Sequence, residues 1–254
     1  MNIDIAGKRI VVTGAAQGIG RTLALGLAAE GARVGVLARD RDRAQAVVNE
    51  IEKDGGAGLA LEADVSDEEA VRRAAAEVDA AWGGLDGLIN NAGWMPGSNP
   101  VLDLELDTLQ RVLNSNVVGA FLSTKHFAPL MIKSNGGRIV YVSSIAAVQH
   151  VAGGAAYSGS KAALNALSAC VHQELAGQGI RTVALAPGLT VTPGMRAIVS
   201  EEHVARVAAA YPGGRIGQPE DLVALTAFLC SDAASHLSGT TITVRPPVAG
   251  MNRI

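Results

Sequence analysis

The chain has 254 residues, of which 48% are hydrophobic and 18% charged, and a formal net charge of −3. There is ample apolar material for a buried core, and no Lys/Arg cluster forms a stripe, so neither nucleic acid nor an anionic membrane surface is a favoured partner. No run reaches about 18 uninterrupted apolar residues, and no linker or low-complexity tract divides the chain, so one domain over 1–254 in a reducing cytoplasm is expected. Aromatics make up only 3%. The core must therefore be aliphatic, as in a parallel sheet covered on both faces.

In chain order, the first predicted strand covers 9–13 and runs into Thr13-Gly14-Ala15-Ala16-Gln17-Gly18-Ile19-Gly20, followed by a helical stretch from Arg21. In this strand, glycine turn and helix, Gly14 and Gly18 let the backbone approach a phosphate. Gly20 lets the helix pack, and the helix N-terminus offers unpaired N–H groups to a pyrophosphate. A second strand over 33–38 leads into Arg39 and Asp40, and a third over 58–62 leads into Asp64 and Val65. Ser66 ahead of Asp67-Glu68-Glu69 reads as a capping box with Glu69 at N3. The fourth strand, 87–90, opens into Asn90-Asn91-Ala92-Gly93, whose amides and small residues allow close approach of a flat ligand. The fifth, 138–143, ends at Ser143-Ser144, ahead of an Ala-rich helix running from Tyr157 to about Gln178. After the sixth strand, 181–186, come Pro187-Gly188, Thr190 and Thr192 and a mostly helical segment. Pro219-Glu220-Asp221 then opens a helix ending near Cys230, and the last strand is 241–244.

Seven strands alternating with helices imply right-handed crossovers. The predicted fold is a Rossmann-type, doubly wound α/β domain: a seven-stranded parallel sheet with helices on both faces and its ligand at the carboxyl ends of the strands. Cys170 and Cys230 have no metal spacing and read as buried small hydrophobes; no metal site is expected. Tyr157 and Lys161 stand at i, i+4, so the ammonium shares a helix face with the phenol. Alone such a pair describes a solvated face. At a crevice, the cation favours the phenolate and brings its pKa toward the working range.

Taken together these motifs resemble the short-chain dehydrogenase/reductase family, of the compact type near 250 residues. The resemblance rests on Thr13-Gly14-x-x-x-Gly18-Ile19-Gly20, Asp64-Val65, Asn90-Asn91-Ala92-Gly93, Asn116-Val117-x-Gly119, Ser143-Ser144, Tyr157-x-x-x-Lys161, Pro187-Gly188 with Thr192, and Pro219-Glu220-Asp221. It implies a NAD(P)(H)-dependent interconversion of a ketone and a secondary alcohol. Tyr157 would be the acid and base, Lys161 would lower its pKa and hold the nicotinamide ribose, and Ser144 would hold the substrate oxygen. Asn116 would help hold a water leading from Lys161 to solvent. It also implies cofactor contacts at Gly14, Gln17, Gly18, Ile19, Gly20, Asp64, Val65, Asn91, Ala92, Gly93, Tyr157, Lys161, Pro187, Gly188, Thr190 and Thr192, with Asp64 and Val65 at the adenine and Thr192 near the nicotinamide amide.

The position where an acid would bind the ribose 2′-hydroxyl falls on Ala38, with Arg39 after it, which favours NADP(H); NAD(H) is possible if Asp40 is the true ribose contact. Gln17, where some NADP(H)-preferring relatives carry a basic residue, weakens that preference. Trp94 and His150 are candidates for the substrate side. A lid over about 190–212, with Trp94 and Met95 opposite, suggests a small, uncharged and largely hydrophobic ketone or alcohol. The chain departs from the family in its Pro246-Pro247 tail, in Ala186 before Pro187 and in Gly159 within the Tyr-Lys segment. The helix over 157–178 is rich in Ala and Leu on more than one face, and with relatives pairing through it a homotetramer is expected. The competing reading is a catalytically silent dinucleotide-binding sensor or scaffold of the same fold.

Overall fold

The computed structural model describes residues 3–211 and 213–245. The first half winds as β1 (Arg9–Thr13), α1 (Gly18–Ala29), β2 (Arg33–Ala38), α2 (Arg41–Lys53), β3 (Ala57–Glu62), α3 (Glu68–Trp82) and β4 (Gly87–Asn90). It continues through α4 (Leu106–Leu113), a π-helical turn (Asn114–Val118), α5 (Gly119–Lys133), β5 (Gly137–Val142), α6 (Ala155–Leu175) and β6 (Ile180–Pro187). Two short helices, α7 (Pro193–Arg196) and α8 (Glu201–Ala210), precede α9 (Val223–Cys230) and β7 (Thr240–Val244).

The strands form one seven-stranded sheet in the order β3-β2-β1-β4-β5-β6-β7, and every pairing is parallel. The predicted strands match these to within a residue or two. Their side chains alternate between two cores. Ile10, Val12, Val34, Val36, Val140 and Leu185 pack on one face with α1, α2 and α9. Val11, Leu37, Leu61, Leu88, Ile139 and Tyr141 pack on the other with α3, α5 and α6. With both faces covered, these strands read as near-continuous apolar runs. Winding outward from β1 to β3 and then from β4 to β7 puts the direction change between β1 and β4, so the loops after these two strands form a crevice.

Two local expectations are corrected. Helix α3 is capped by Asp67, whose carboxylate accepts from the backbone N–H of Glu69 (2.9 Å) and Ala70 (3.2 Å). Ser66 instead donates to Asp64 at 2.6 Å and Glu69 pairs with Arg72, so the capping box read at Ser66 and Glu69 does not form. An aspartate one residue nearer the helix reaches both orphan amides, which leaves the serine no role there. Cys170 is exposed on α6, whereas Cys230 is buried and its thiol is pushed up to about 12 by burial. The Pro246-Pro247 tail lies outside the described residues.

Candidate functional site

The glycine turn after β1 is tied to its neighbours by side chains rather than left as a loop. Thr13 Oγ1 accepts from the backbone amides of Asn91 and Ala92, both at 3.0 Å, and Asn91 Nδ2 donates to the Thr13 carbonyl at 2.9 Å. Gly14 has φ +65° and Gly18 φ +55°. A Cβ on Gly14 would lie 2.9 Å from Ala92 Cα, and one on Gly20 would overlap Asn91 Nδ2 and the Gly14 carbonyl oxygen. The backbone is thus thinned where the loops after β1 and β4 meet, and α1 begins at Gly18, three residues earlier than its Ala/Leu pattern suggests. A cradle that a Cβ would fill, opening on a helix N-terminus, fits the pyrophosphate of a dinucleotide. Ile19 packs against the core behind this turn.

Around it, Gly18 faces Thr192, whose Cβ would lie 3.5 Å from a Cβ placed on the glycine. Thr192 caps α7 by accepting from Met195 N at 3.0 Å, and Thr190 Oγ1 donates to the Gly188 carbonyl at 3.0 Å. Gly188 N donates to Val244 O at 2.9 Å, so Pro187 and Gly188 are held beside the end of β7. Val65 is buried against Gly119, where a Cβ would overlap it. Burial raises the carboxyl of Asp64 beside it, but the two hydrogen bonds from Ser66 and the charge of Arg39 together hold it below the usual range.

At the end of β2, Arg39 is exposed, while Asp40 is consumed as the N-cap of α2, accepting from Asp42 N (2.9 Å) and Arg43 N (3.2 Å). A residue the sequence did not single out joins this rim: Arg43 Nη2 donates to Gln17 Oε1 at 2.9 Å, which brings a second guanidinium to the glycine turn. Its signal was its place in the first turn of α2, about 25 residues past the turn it reaches.

The second half of the site is built on α6 and β5. Lys161 is buried, and its Nζ donates to the Val142 carbonyl at 2.8 Å and lies 5.6 Å from the Tyr157 ring centroid. Ser143 Oγ donates to the Lys161 carbonyl at 3.1 Å, so the end of β5 grips the lysine from two sides. Burial lowers the Lys161 ammonium to about 8. Burial also raises the Tyr157 phenol, opposed by a hydrogen bond with Ser144. The expected depression of the phenol by Lys161 is therefore corrected: in this dry setting desolvation dominates, and each charge is disfavoured on its own. Ser144 Oγ also accepts from Ala146 N at 3.1 Å, which fixes its side chain at the start of a short 3₁₀ turn.

Asn116 lies in the π-helical turn between α4 and α5 and is fully buried. Its Oδ1 accepts from Trp94 N at 2.7 Å; its Nδ2 donates to Trp94 O at 3.1 Å and to Ser160 Oγ at 2.9 Å. Ser160 Oγ in turn donates to the Tyr157 carbonyl at 2.7 Å. This chain of bonds links the loop after β4 to the tyrosine turn of α6, and Ser160 is a second member of the site that the sequence did not reveal. Gly93 permits the approach, since a Cβ there would lie 3.1 Å from Asn116 Oδ1 and 3.5 Å from Lys161 Nζ.

The two substrate candidates are placed differently. The Trp94 ring is covered by Arg111, whose Cζ lies 4.2 Å from the ring centroid. His150 is exposed and lines an outer groove with Val101, Val151 and Ser158. Gly159 is exposed, and a Cβ added there would meet open space, so this departure leaves the Tyr-Lys face intact. Among the described residues no cluster of three His, Cys, Asp or Glu side chains is placed to hold a metal ion.

The profile of the enoyl-(acyl carrier protein) reductase family matches residues 14–245. The 3-oxoacyl-(acyl carrier protein) reductase of Staphylococcus aureus is 36% identical over 238 residues, which is 93% of this chain and 96% of that protein. The 7α-hydroxysteroid dehydrogenase of Escherichia coli is 33% identical over 243 residues, 96% of this chain and 94% of that protein. Among solved structures, a 7α-hydroxysteroid dehydrogenase complexed with NADH and 7-oxoglycochenodeoxycholic acid superposes with a TM-score of 0.91 at 34% identity, covering 96% of this chain and 94% of that one. A gluconate 5-dehydrogenase from Burkholderia cenocepacia in complex with NADP and tartrate also gives a TM-score of 0.91, at 30% identity, covering 95% of this chain and 96% of that one.

Proposed function

The chain belongs to the short-chain dehydrogenase/reductase family and is a NAD(P)(H)-dependent oxidoreductase that interconverts a ketone and a secondary alcohol by hydride transfer; we propose that Tyr157 is its general acid and base. The observation that carries the residue assignment is the cluster of Tyr157, Ser144 and buried Lys161 at the carboxyl end of β5. When bound, the nicotinamide supplies or accepts the hydride. The chain's residues handle the proton: Ser144 orients the substrate oxygen, Tyr157 donates to it in reduction and withdraws the proton in oxidation, and the Lys161 ammonium neutralises the phenolate left behind. The raised phenol is protonated at neutral pH, which is the form that donates in reduction, and in oxidation the Lys161 ammonium offsets the cost of forming the phenolate. Asn116 and Ser160 hold the tyrosine turn against the Trp94 backbone. A silent dinucleotide sensor would need only the glycine rim, and the Tyr157 cluster speaks for turnover.

Gly14, Gln17, Gly18, Ile19, Gly20, Asn91, Ala92, Gly93, Asp64, Val65, Pro187, Gly188, Thr190 and Thr192 would hold the dinucleotide. NADP(H) is the favoured form within this reading. Asp40 is engaged as a helix cap, Arg43 bonds Gln17 and Arg39 stands exposed at the end of β2, so two guanidinium groups on this rim would serve a 2′-phosphate. The substrate is read as an uncharged, largely hydrophobic ketone or secondary alcohol, covered by the lid over 190–212, whose Met195 and Tyr211 form a small apolar core with Ile216 beyond it. The chain is taken to work as one domain in the cytoplasm. Among the described residues no helix is long and apolar enough to cross a membrane.

A homotetramer is part of the same proposal. Ala155, Gly159, Ala166 and Cys170 make an exposed face of small residues along α6, and Leu106, Leu113 and Phe121 are exposed on α4 and α5 beside it. Light scattering tests this, and a monomer at micromolar concentration would contradict it. The cofactor and substrate readings are tested by kcat/KM at 340 nm with NADPH and NADH against a panel of neutral ketones and charged keto acids. Preference for NADPH, weakened by Arg39→Ala and Arg43→Ala, and for neutral ketones supports them; preference for NADH or for keto acids refutes the corresponding part.

A further inference from the structure

At the edge of the sheet opposite the crevice, where the strands begin, the chain encloses a cleft of about 330 Å³. Lys8 ahead of β1, Arg138 in β5, Arg181 in β6 and Asp232 ahead of β7 line it, together with Asp86 and Asn135. The charges do not balance. Asp86 is already matched by Arg9, which holds both carboxylate oxygens at 2.8 Å from its side chain and adds its backbone N–H at 2.8 Å. That leaves, among the described residues, three cations facing the carboxylate of Asp232.

Asp232 is a weak partner for them. Its side chain is 87% exposed, and one oxygen, Oδ1, serves both Lys8 Nζ at 3.1 Å and Arg138 Nη2 at 3.5 Å. Arg181 donates to the carbonyls of Ala176, Ile180 and Ser235 and has no carboxylate partner among the described residues. Arg138 is only 15% exposed, and its Nε is buried with no hydrogen-bond partner among the described residues. Burial lowers the pKa of this guanidinium, which marks a cation whose lost hydration has not been replaced. The Arg138 and Arg181 guanidinium groups and the Lys8 ammonium around one polar cleft offer N–H donors to several oxygens of one anion.

We propose that this cleft binds a dianionic phosphate group, free or esterified, seated between Lys8, Arg138 and Arg181 with the Asp232 carboxylate turned aside to solvent. The excess of two positive charges selects a dianion over a carboxylate, and the exposed aspartate acts as a built-in competitor. Phosphate binding here stabilises the strand beginnings and touches no part of the crevice.

The test is calorimetric titration of the whole protein at constant ionic strength with NADP⁺ saturating, so that the glycine turn is filled. Inorganic phosphate and glycerol 3-phosphate are the two probes, and sodium chloride is the control. Saturable binding of either probe is expected, the tighter one identifying a free or an esterified source. Asp232→Asn should tighten it about two- to fivefold by removing the competitor, and Arg181→Gln should weaken it by a similar factor. Both changes lie at the rim, so folding survives them. Absence of binding, or an affinity that neither substitution moves, overturns the proposal.

Discussion

Replacing Lys161 by methionine is expected to abolish useful activity while stabilising the fold at neutral pH. Lys161 is 4% exposed, and burial lowers its ammonium from 10.5 to about 8. At about 1.4 kcal/mol per pH unit, this is a folding cost of about 3 kcal/mol at pH 7. Methionine fills similar space without a charge but leaves the Val142 carbonyl without its 2.8 Å donor, a loss of about 1 kcal/mol. The net gain for Lys161→Met is therefore about 2 kcal/mol at pH 7. Its pH dependence identifies the cause. Because the folded-state value lies below the unfolded one, the unfolded chain holds more protons between pH 8 and 10.5, and the native protein gains stability as pH rises through that window. The variant has no such dependence, so its advantage should shrink by about 2 kcal/mol between pH 7 and 9.5. Tyr157, raised above its ordinary value, works in the opposite direction near pH 10, but both proteins carry it and its contribution cancels in their difference. Urea unfolding of both proteins at fixed concentration at the two pH values measures this. A difference that does not change with pH, or a variant less stable than the native protein at pH 7, would show that Lys161 is not held as a poorly solvated cation.

Three further outcomes follow from the geometry. Gly20→Ala puts a methyl into Asn91 and the Gly14 carbonyl, so it should weaken cofactor binding by at least about tenfold in a fluorescence titration. Ser160→Ala removes the 2.9 and 2.7 Å links from Asn116 to the Tyr157 turn, and kcat should fall about tenfold with a displaced pH profile, restored by Ser160→Thr. Asp67→Ala should cost about 1 kcal/mol in thermal unfolding as the loss of the α3 cap, whereas Ser66→Ala and Glu69→Ala should each stay within about 0.5 kcal/mol of the native protein.

The strands were legible because a sheet covered on both faces demands unbroken apolar runs, and 9–13, 33–38 and 181–186 supply them. The crevice was legible because Gly14, Gly20 and Asn91 are needed where two loops approach to within bonding distance. What escaped depends on partners distant in sequence. Arg43 is an ordinary helix-surface arginine until α2 is laid beside Gln17, and Ser160 is an ordinary helix serine until the π-helical turn brings Asn116 to it. That turn leaves no side-chain signature, because an extra residue is absorbed by the backbone. The direction of the Tyr157 shift escaped for the same reason: spacing on one helix shows the neighbouring cation but not the protein that closes over both groups. Cys170 followed the reverse path, apolar by type yet left on an open helix face.

The central claim is that the Tyr157 hydroxyl delivers and removes the proton of the substrate oxygen. Single-turnover oxidation of enzyme-bound NADPH by a ketone that the native protein reduces, followed at 340 nm in Tyr157→Phe, tests it most directly. With NADPH saturating, the chemical rate is predicted to fall about 10²- to 10⁴-fold; hydride transfer at the native rate in that variant would contradict it.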